Sequence, residues 1–181
     1  MGQYYYAVSS LPHLSFESEV YPSREEFMQL CAENLSASDL KILKYMDELG
    51  GDAAGSGLLK QWFEWNLSLR FELATLRAQK LRIDLEGSQG IGKMSGTEEV
   101  AREAFSQESP IDAEEAIERG RWGVLEELEV GHFFDLEKLL VYGMKISILE
   151  RKAQFELESG LANFKSIYSA VTEGKIGEQP E

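Results

Sequence analysis

From Leu58 to Ile83 the chain reads LLKQWFEWNLSLRFELATLRAQKLRI, and its apolar residues recur at helical rather than strand spacing. Trp62, Trp65, Leu69, Leu73 and Leu76 fall on one row, and Phe63, Leu67, Phe71, Ala74, Ala78 and Leu81 on a second. Two rows require two sets of packing partners, so the pattern predicts a central helix of roughly 39 Å covered on more than one side. A third row, Gln61, Glu64, Ser68, Glu72, Thr75, Gln79 and Arg82, is polar throughout and leaves one strip for water. Asn66, Arg70 and Arg77 lie outside that strip, at i, i+4 and i+11, bordering the apolar surface. A cation there needs an acidic partner or a path for its head group to reach water.

The remaining segments read as cover for this helix. Tyr4 to Leu11 fits either a short strand or one or two helical turns, closed by Pro12. Ser23 and Glu26 form a capping box after Pro22 and predict a helix that buries Phe27, Leu30 and Cys31 and ends near Asn34. Ser36 to Asp39 opens the next helix, with Leu40, Leu43, Tyr45 or Met46, and Leu49 on one face and Gly50 and Gly51 as its stop. The glycine-rich, weakly apolar stretch 86–96 reads as a flexible loop. Thr97 to Phe105 predicts a short helix supported by Glu98 and Arg102 and broken by Pro110. A capping box at Asp112 and Glu115 predicts a helix to Arg119. A separate segment from Trp122 to Val130 follows the interruption at Gly120 and stops at Gly131. Asp135 caps the longest pattern, Leu136 to about Val171, which Gly143 and Gly160 are expected to bend or weaken. The polar tail 172–181 reads as frayed. The pattern as a whole predicts an all-α fold, an irregular bundle of about six helices around the central one, in a single domain over residues 1–181.

Composition narrows the function. With 32 acidic and 18 basic residues the formal net charge is −14, which opposes binding to nucleic acid or anionic lipid and favours a basic protein partner. The lone cysteine, Cys31, excludes an internal disulfide and a cysteine-based zinc site. No stretch approaches the ~18 consecutive apolar residues of a membrane span, and the N-terminus carries no basic leader region. The expectation is a cytoplasmic protein with no direct membrane insertion, peripheral to a membrane only through a protein complex.

Two motifs suggest catalysis, and neither is complete. Gly87 to Met94, GSQGIGKM, matches a phosphate-binding loop except at its last position, where Met94 replaces the hydroxyl that would hold magnesium. No parallel strands flank it to seat a nucleotide. Glu129 and His132 form a Glu-x-x-His pair of the kind that di-metal helical bundles use twice, but here the unit occurs once, beside Gly131, and His13 has no matching glutamate. Without a nucleophile–base pair or a metal cluster, the sequence predicts a non-catalytic protein with no cofactor, metal or small-molecule substrate. A helical di-metal carboxylate enzyme and a helical adaptor of another complex are the alternative readings. The candidate residues are therefore structural or partner-binding: Trp62 and Trp65 as core or interface aromatics, and Asn66, Arg70 and Arg77 as polar members of the central helix. The arginines beside the core helix, Arg70 and Arg77, are expected to pair with an acid such as Asp135 or Glu137 across the bundle, with partner binding as the other reading.

Three segments, YYYAVSSLPHLSF, WFEWNLSLRFELATLRAQKL and RWGVLEELEVGHFFDLEKLLVYGMKISILER, together resemble a family of short, largely uncharacterised bacterial proteins encoded among the subunits of V/A-type ATPases. The resemblance spans most of the chain, and its most specific part is the W-x-x-x-N-x-x-x-R-x-E-L-x-x-L-R-x-x-K-L pattern from Trp62 to Leu81. That family is in turn similar to the central-stalk connector of these ATPases, an all-helical protein between the membrane rotor ring and the rotating shaft. The shared feature is a helix carrying an asparagine and arginines, here Asn66, Arg70 and Arg77. The ATPase connector is longer and has an internal repeat that this chain lacks. The resemblance implies a non-catalytic central-stalk connector of a proton- or sodium-transporting rotary ATPase, with the rotor shaft and the membrane-ring subunits as partners.

Overall fold

The computed structural model describes residues 2–47, 56–83 and 92–172. Among them are seven α-helices and no strand: α1 Gly2–Ser10, α2 Arg24–Asn34, α3 Ala37–Lys44, α4 Gly57–Leu81, α5 Thr97–Ser106, α6 Pro110–Glu129 and α7 Leu136–Thr172. The fold is all-α. None of these helices, within the described residues, is long and apolar enough to cross a membrane. The ambiguous N-terminal segment is helix α1, because Tyr4, Ala7, Val8 and Leu11, at i, i+3, i+4 and i+7, are the residues that pack on the core.

Local capping chemistry places several helix ends where the sequence puts them. Ser23 Oγ accepts a hydrogen bond from Glu26 N, and the Glu26 carboxylate accepts one from Ser23 N, completing the box that starts α2. Ser36 Oγ accepts from Asp39 N to start α3. That helix ends at Lys44 in a 3₁₀ turn, Tyr45–Asp47, and Leu49 with its two glycines lies outside the described residues. Asp135 Oδ1 accepts from Lys138 N at 2.9 Å at the start of α7. Gly131, with φ of 90°, ends the α6 region in a conformation that favours glycine.

The interruption expected at Gly120 is absent. Helix α6 runs unbroken from Pro110, which occupies its first turn, and the cap is Ser109, whose Oγ accepts from Ile111 N, not Asp112. Gly120 instead lets α5 approach: a Cβ there would lie 2.6 Å from both methyls of Val100. Gly143 does the same on α7, where a Cβ would meet the end of Met46 at 2.6 Å and the Phe27 ring at 2.9 Å. Helix α7 continues through positions 143 and 160 to Thr172.

The buried arc of α4 is rotated from the expected one. Trp62, Trp65, Leu69 and Leu73 are buried, as the first row predicts, but in the second row Phe63, Phe71 and Ala74 are half-buried and Leu67 is 52% exposed. Burial extends the other way, into the polar row, and covers Ser68 and Glu72. Residues 92–97 cause the shift by folding onto α4. Met94 N donates to Ser68 Oγ at 3.0 Å, Thr97 Oγ1 shares a 3.1 Å hydrogen bond with the same oxygen, and Lys93 Nζ lies 3.3 Å from Glu72 Oε1. This part of the segment read as a flexible loop is therefore fixed. Positions 84–91 and the tail 173–181 lie outside the described residues.

Two cores result. The larger joins α1, α2, α3, the start of α4, the second half of α6 and α7, through residues such as Phe27, Leu43, Leu59, Leu125 and Leu140. The smaller joins the middle of α4 to α5 and the first half of α6 through Trp65, Leu69, Ala101, Ala104 and Ile117. Trp62 belongs to the first and Trp65 to the second, with their rings stacked 6.4 Å apart.

Candidate functional site

Beside this tryptophan pair lies a cleft of about 110 Å³, lined by Trp62, Asn66 and Arg70 of α4, Arg121 of α6, and Ser147 and Arg151 of α7. Two of its arginines are held by one buried carboxylate that does not itself line the cleft. Glu118, only 2% exposed, accepts from Arg121 Nη1 at 2.7 Å and from Arg151 Nε at 3.0 Å on Oε1, and from Arg151 Nη2 at 3.1 Å on Oε2. Arg121 Nε donates to Asn66 Oδ1 at 3.0 Å, and Asn66 Nδ2 donates to the Trp62 carbonyl at 2.9 Å. Two acceptor–donor contacts thus set the Asn66 amide, and one chain of hydrogen bonds ties α4, α6 and α7 together. Arg24 reaches the rim, where its Nη1 donates to Ser147 Oγ at 2.8 Å.

Charge in the cleft does not balance. Of the three guanidiniums lining it, those of Arg121 and Arg151 bond the same acid, Glu118, whereas Arg70, exposed on α4, has no hydrogen-bonding or acidic partner among the described residues. Burial pulls Arg121 below the usual arginine range, Glu118 opposes that, and the like charge of Arg151 adds to it.

Of the residues singled out by sequence, the fold brings Trp62, Asn66 and Arg70 to this cleft. Trp65 turns into the smaller core, where its Nε1 donates to the Ser95 carbonyl at 3.1 Å. Arg77 is exposed on α4 and does not line the cleft. The expected partners of Arg70 are engaged elsewhere, since Asp135 caps α7 and lies 2.7 Å from His132 Nδ1, and Glu137 lies beside these two. Sequence reasoning missed Glu118, Arg121 and Arg151. One signal was present: Glu118, Trp122 and Leu125 recur at i, i+4 and i+7, which places an acid in the buried register of α6.

No family model, curated protein or solved structure matches the chain. Its own geometry also shows what the two suggestive motifs do. The Glu129 carboxylate accepts from Lys138 and, at 2.7 Å, from Lys145. Burial pushes that carboxyl up, but the two lysine hydrogen bonds outweigh it and hold it below the usual carboxylate range. His132 turns to Asp135, and the ligand-type atoms that gather within 4.8 Å there belong to His132, Asp135 and Glu137, without Glu129. The Glu-x-x-His pair therefore does not converge on one point. Of the phosphate-loop stretch, Gly92, Lys93 and Met94 are described, and Lys93 faces Glu72.

Proposed function

We propose that the chain is a non-catalytic connector of a V/A-type rotary ATPase, gripping the rotor shaft on one surface and the membrane-ring subunits on another. The observation that carries this reading is the convergence of two separate stretches of the resemblance on one cleft. Trp62, Asn66 and Arg70 come from the first stretch, and Arg121, Ser147 and Arg151 from the second. The hydrogen bonds that tie α4, α6 and α7 together account for Asn66, Arg121 and Arg151, but not for Arg70, which bonds none of them and which a binding surface would use.

Two further features support the role. A connector transmits torque, which suits rigid helices, and the 37 residues of α7 span roughly 55 Å. It also holds two partners at once, and apolar groups are exposed on two parts of this surface. One set is Leu67 with half-buried Phe63 and Phe71 along α4. The other is Val130, Phe133 and Phe134 at the α6–α7 turn, where the Tyr5 and Phe134 rings lie 4.8 Å apart.

Purification of the intact ATPase from the native host, through a tag on a rotor protein, should recover this chain in stoichiometric amount. An intact rotor that lacks it would sink the assignment.

A further inference from the structure

In a chain of net charge −14, arginines are expected to be met by surplus acid. Outside the cleft Arg119 bonds both Glu115 and Glu17 and Arg102 bonds Glu98, while Arg77 and Arg82 are exposed and have no acidic partner among the described residues. What sets the cleft apart is that three arginines line it together and no acid does. Both oxygens of Glu118 are taken by Arg121 and Arg151. Arg121 keeps Nη2 beyond the groups already bonded, Arg151 keeps Nη1, and Arg70 keeps its whole fork. The Arg121 side chain is 16% exposed, so water neutralises its charge poorly, and an anion in the cleft would offset the local excess.

The shape of the cleft selects among anions. Its volume of about 110 Å³ is below the ~300–1,000 Å³ of ordinary small-molecule sites, too small for a nucleotide and suited to a single acidic side chain. Trp62, Met46 and Met144 give it apolar walls, which suit an aliphatic stem and leave some oxygens of a free phosphate without donors. A planar carboxylate also matches the two-pronged face of a free guanidinium.

We propose that the cleft between α4, α6 and α7 is a carboxylate-binding site, filled by an aspartate or glutamate side chain of a partner protein and closed on it by Arg70, with Arg121 and Arg151 behind. That the carboxylate comes from a partner rests on the connector reading; the affinity for carboxylate does not.

The test uses the isolated full chain at fixed ionic strength. N-acetyl-glutamate and acetate are titrated in one arm, and inorganic phosphate and sulfate in another. The side-chain Nε–H signals of Arg70, Arg121 and Arg151 and the Trp62 indole signal are followed by NMR. The carboxylates should give saturable shifts, weakened about tenfold or more in Arg70→Gln, which loses one charge-assisted pair. Arg77→Gln, exposed and outside the cleft, should bind as the parent does. Unchanged binding in Arg70→Gln, saturation by phosphate or sulfate at lower concentration than by carboxylate, or no saturable shift at all would each overturn the proposal. Carboxylate binding by a chain that never co-purifies with the ATPase would keep the site and remove the connector role. Stoichiometric co-purification without carboxylate binding would do the reverse.

Discussion

Glu118 is enclosed by the two arginines it binds, whereas Arg70 lines the cleft beside those arginines with no acid of its own among the described residues. Truncating the two should therefore have unequal effects. Glu118→Ala leaves Arg121 buried beside Arg151 without its bonded counter-charge, with only the more distant Glu114 acting on it, and breaking a buried pair from one side costs about 3–5 kcal/mol. The Arg151 side chain is 44% exposed and can be rehydrated, which puts the expected loss near the lower end of that range. Arg70→Ala removes no bond and should change the unfolding free energy by less than about 0.5 kcal/mol. Urea denaturation near neutral pH measures both, and equal losses would contradict this distribution of charge. The sequence showed Arg70 as a cation on the border of an apolar face. It could not show which acids lie across that border, because the neighbours come from the crossing of α6 and α7 over α4, and spacing within one helix does not report a crossing.

Three helix starts were legible for a physical reason. Ser23, Ser36 and Asp135 each bond a backbone N–H three residues on, a contact that needs nothing from the rest of the chain. Gly120 is the opposite case, since its local propensity says break while its role is set by Val100 on another helix. The buried Ser68 and Glu72 were misread for the same reason, their partners lying in residues 93–97. Gly120→Ala should gain up to about 1 kcal/mol in helix propensity. The new methyl would sit 2.6 Å from both Val100 methyls, and a β-branched side chain has few rotamers with which to yield. A net destabilisation of about 1–3 kcal/mol is expected. Val100→Ala opens the space, so the double variant should be more stable than the sum of the singles by about 1 kcal/mol or more. Thermal or urea unfolding of the four proteins gives this coupling directly; additivity within roughly 0.5 kcal/mol would mean that α5 and α6 do not meet at Gly120.

The larger core joins six of the seven helices, and two of its members titrate only in alkali, which makes the cooperativity of the whole bundle measurable. Burial pushes the Cys31 thiol on α2 from 9.0 to about 12. It also raises the Tyr142 hydroxyl on α7 from 10.0 to about 12. That hydroxyl donates to the Pro12 carbonyl at 2.9 Å and so holds the segment after α1. Both folded values are raised, so each group contributes stability that is complete below its unfolded pKa and is lost as pH rises toward about 12. Each contributes a slope of about 1.4 kcal/mol per pH unit over its window, Cys31 entering first and Tyr142 about one unit later. The net charge of −14 grows in the same range and adds self-repulsion, so the parent curve alone does not isolate either group. Cys31→Ala and Tyr142→Phe do isolate them. Each should lower stability at neutral pH through lost packing or a lost hydrogen bond, yet flatten the alkaline limb by one group's slope. Urea unfolding between about pH 8 and 11 would show this, and variant curves running parallel to the parent would rule it out. Because Cys31, Trp62 and Trp122 share this core, thiol labelling and tryptophan fluorescence, read in a Trp65→Phe background that removes the signal of the smaller core, should then report one coincident transition. Labelling that runs ahead of the fluorescence change would mean that α2 separates before the rest of the bundle opens.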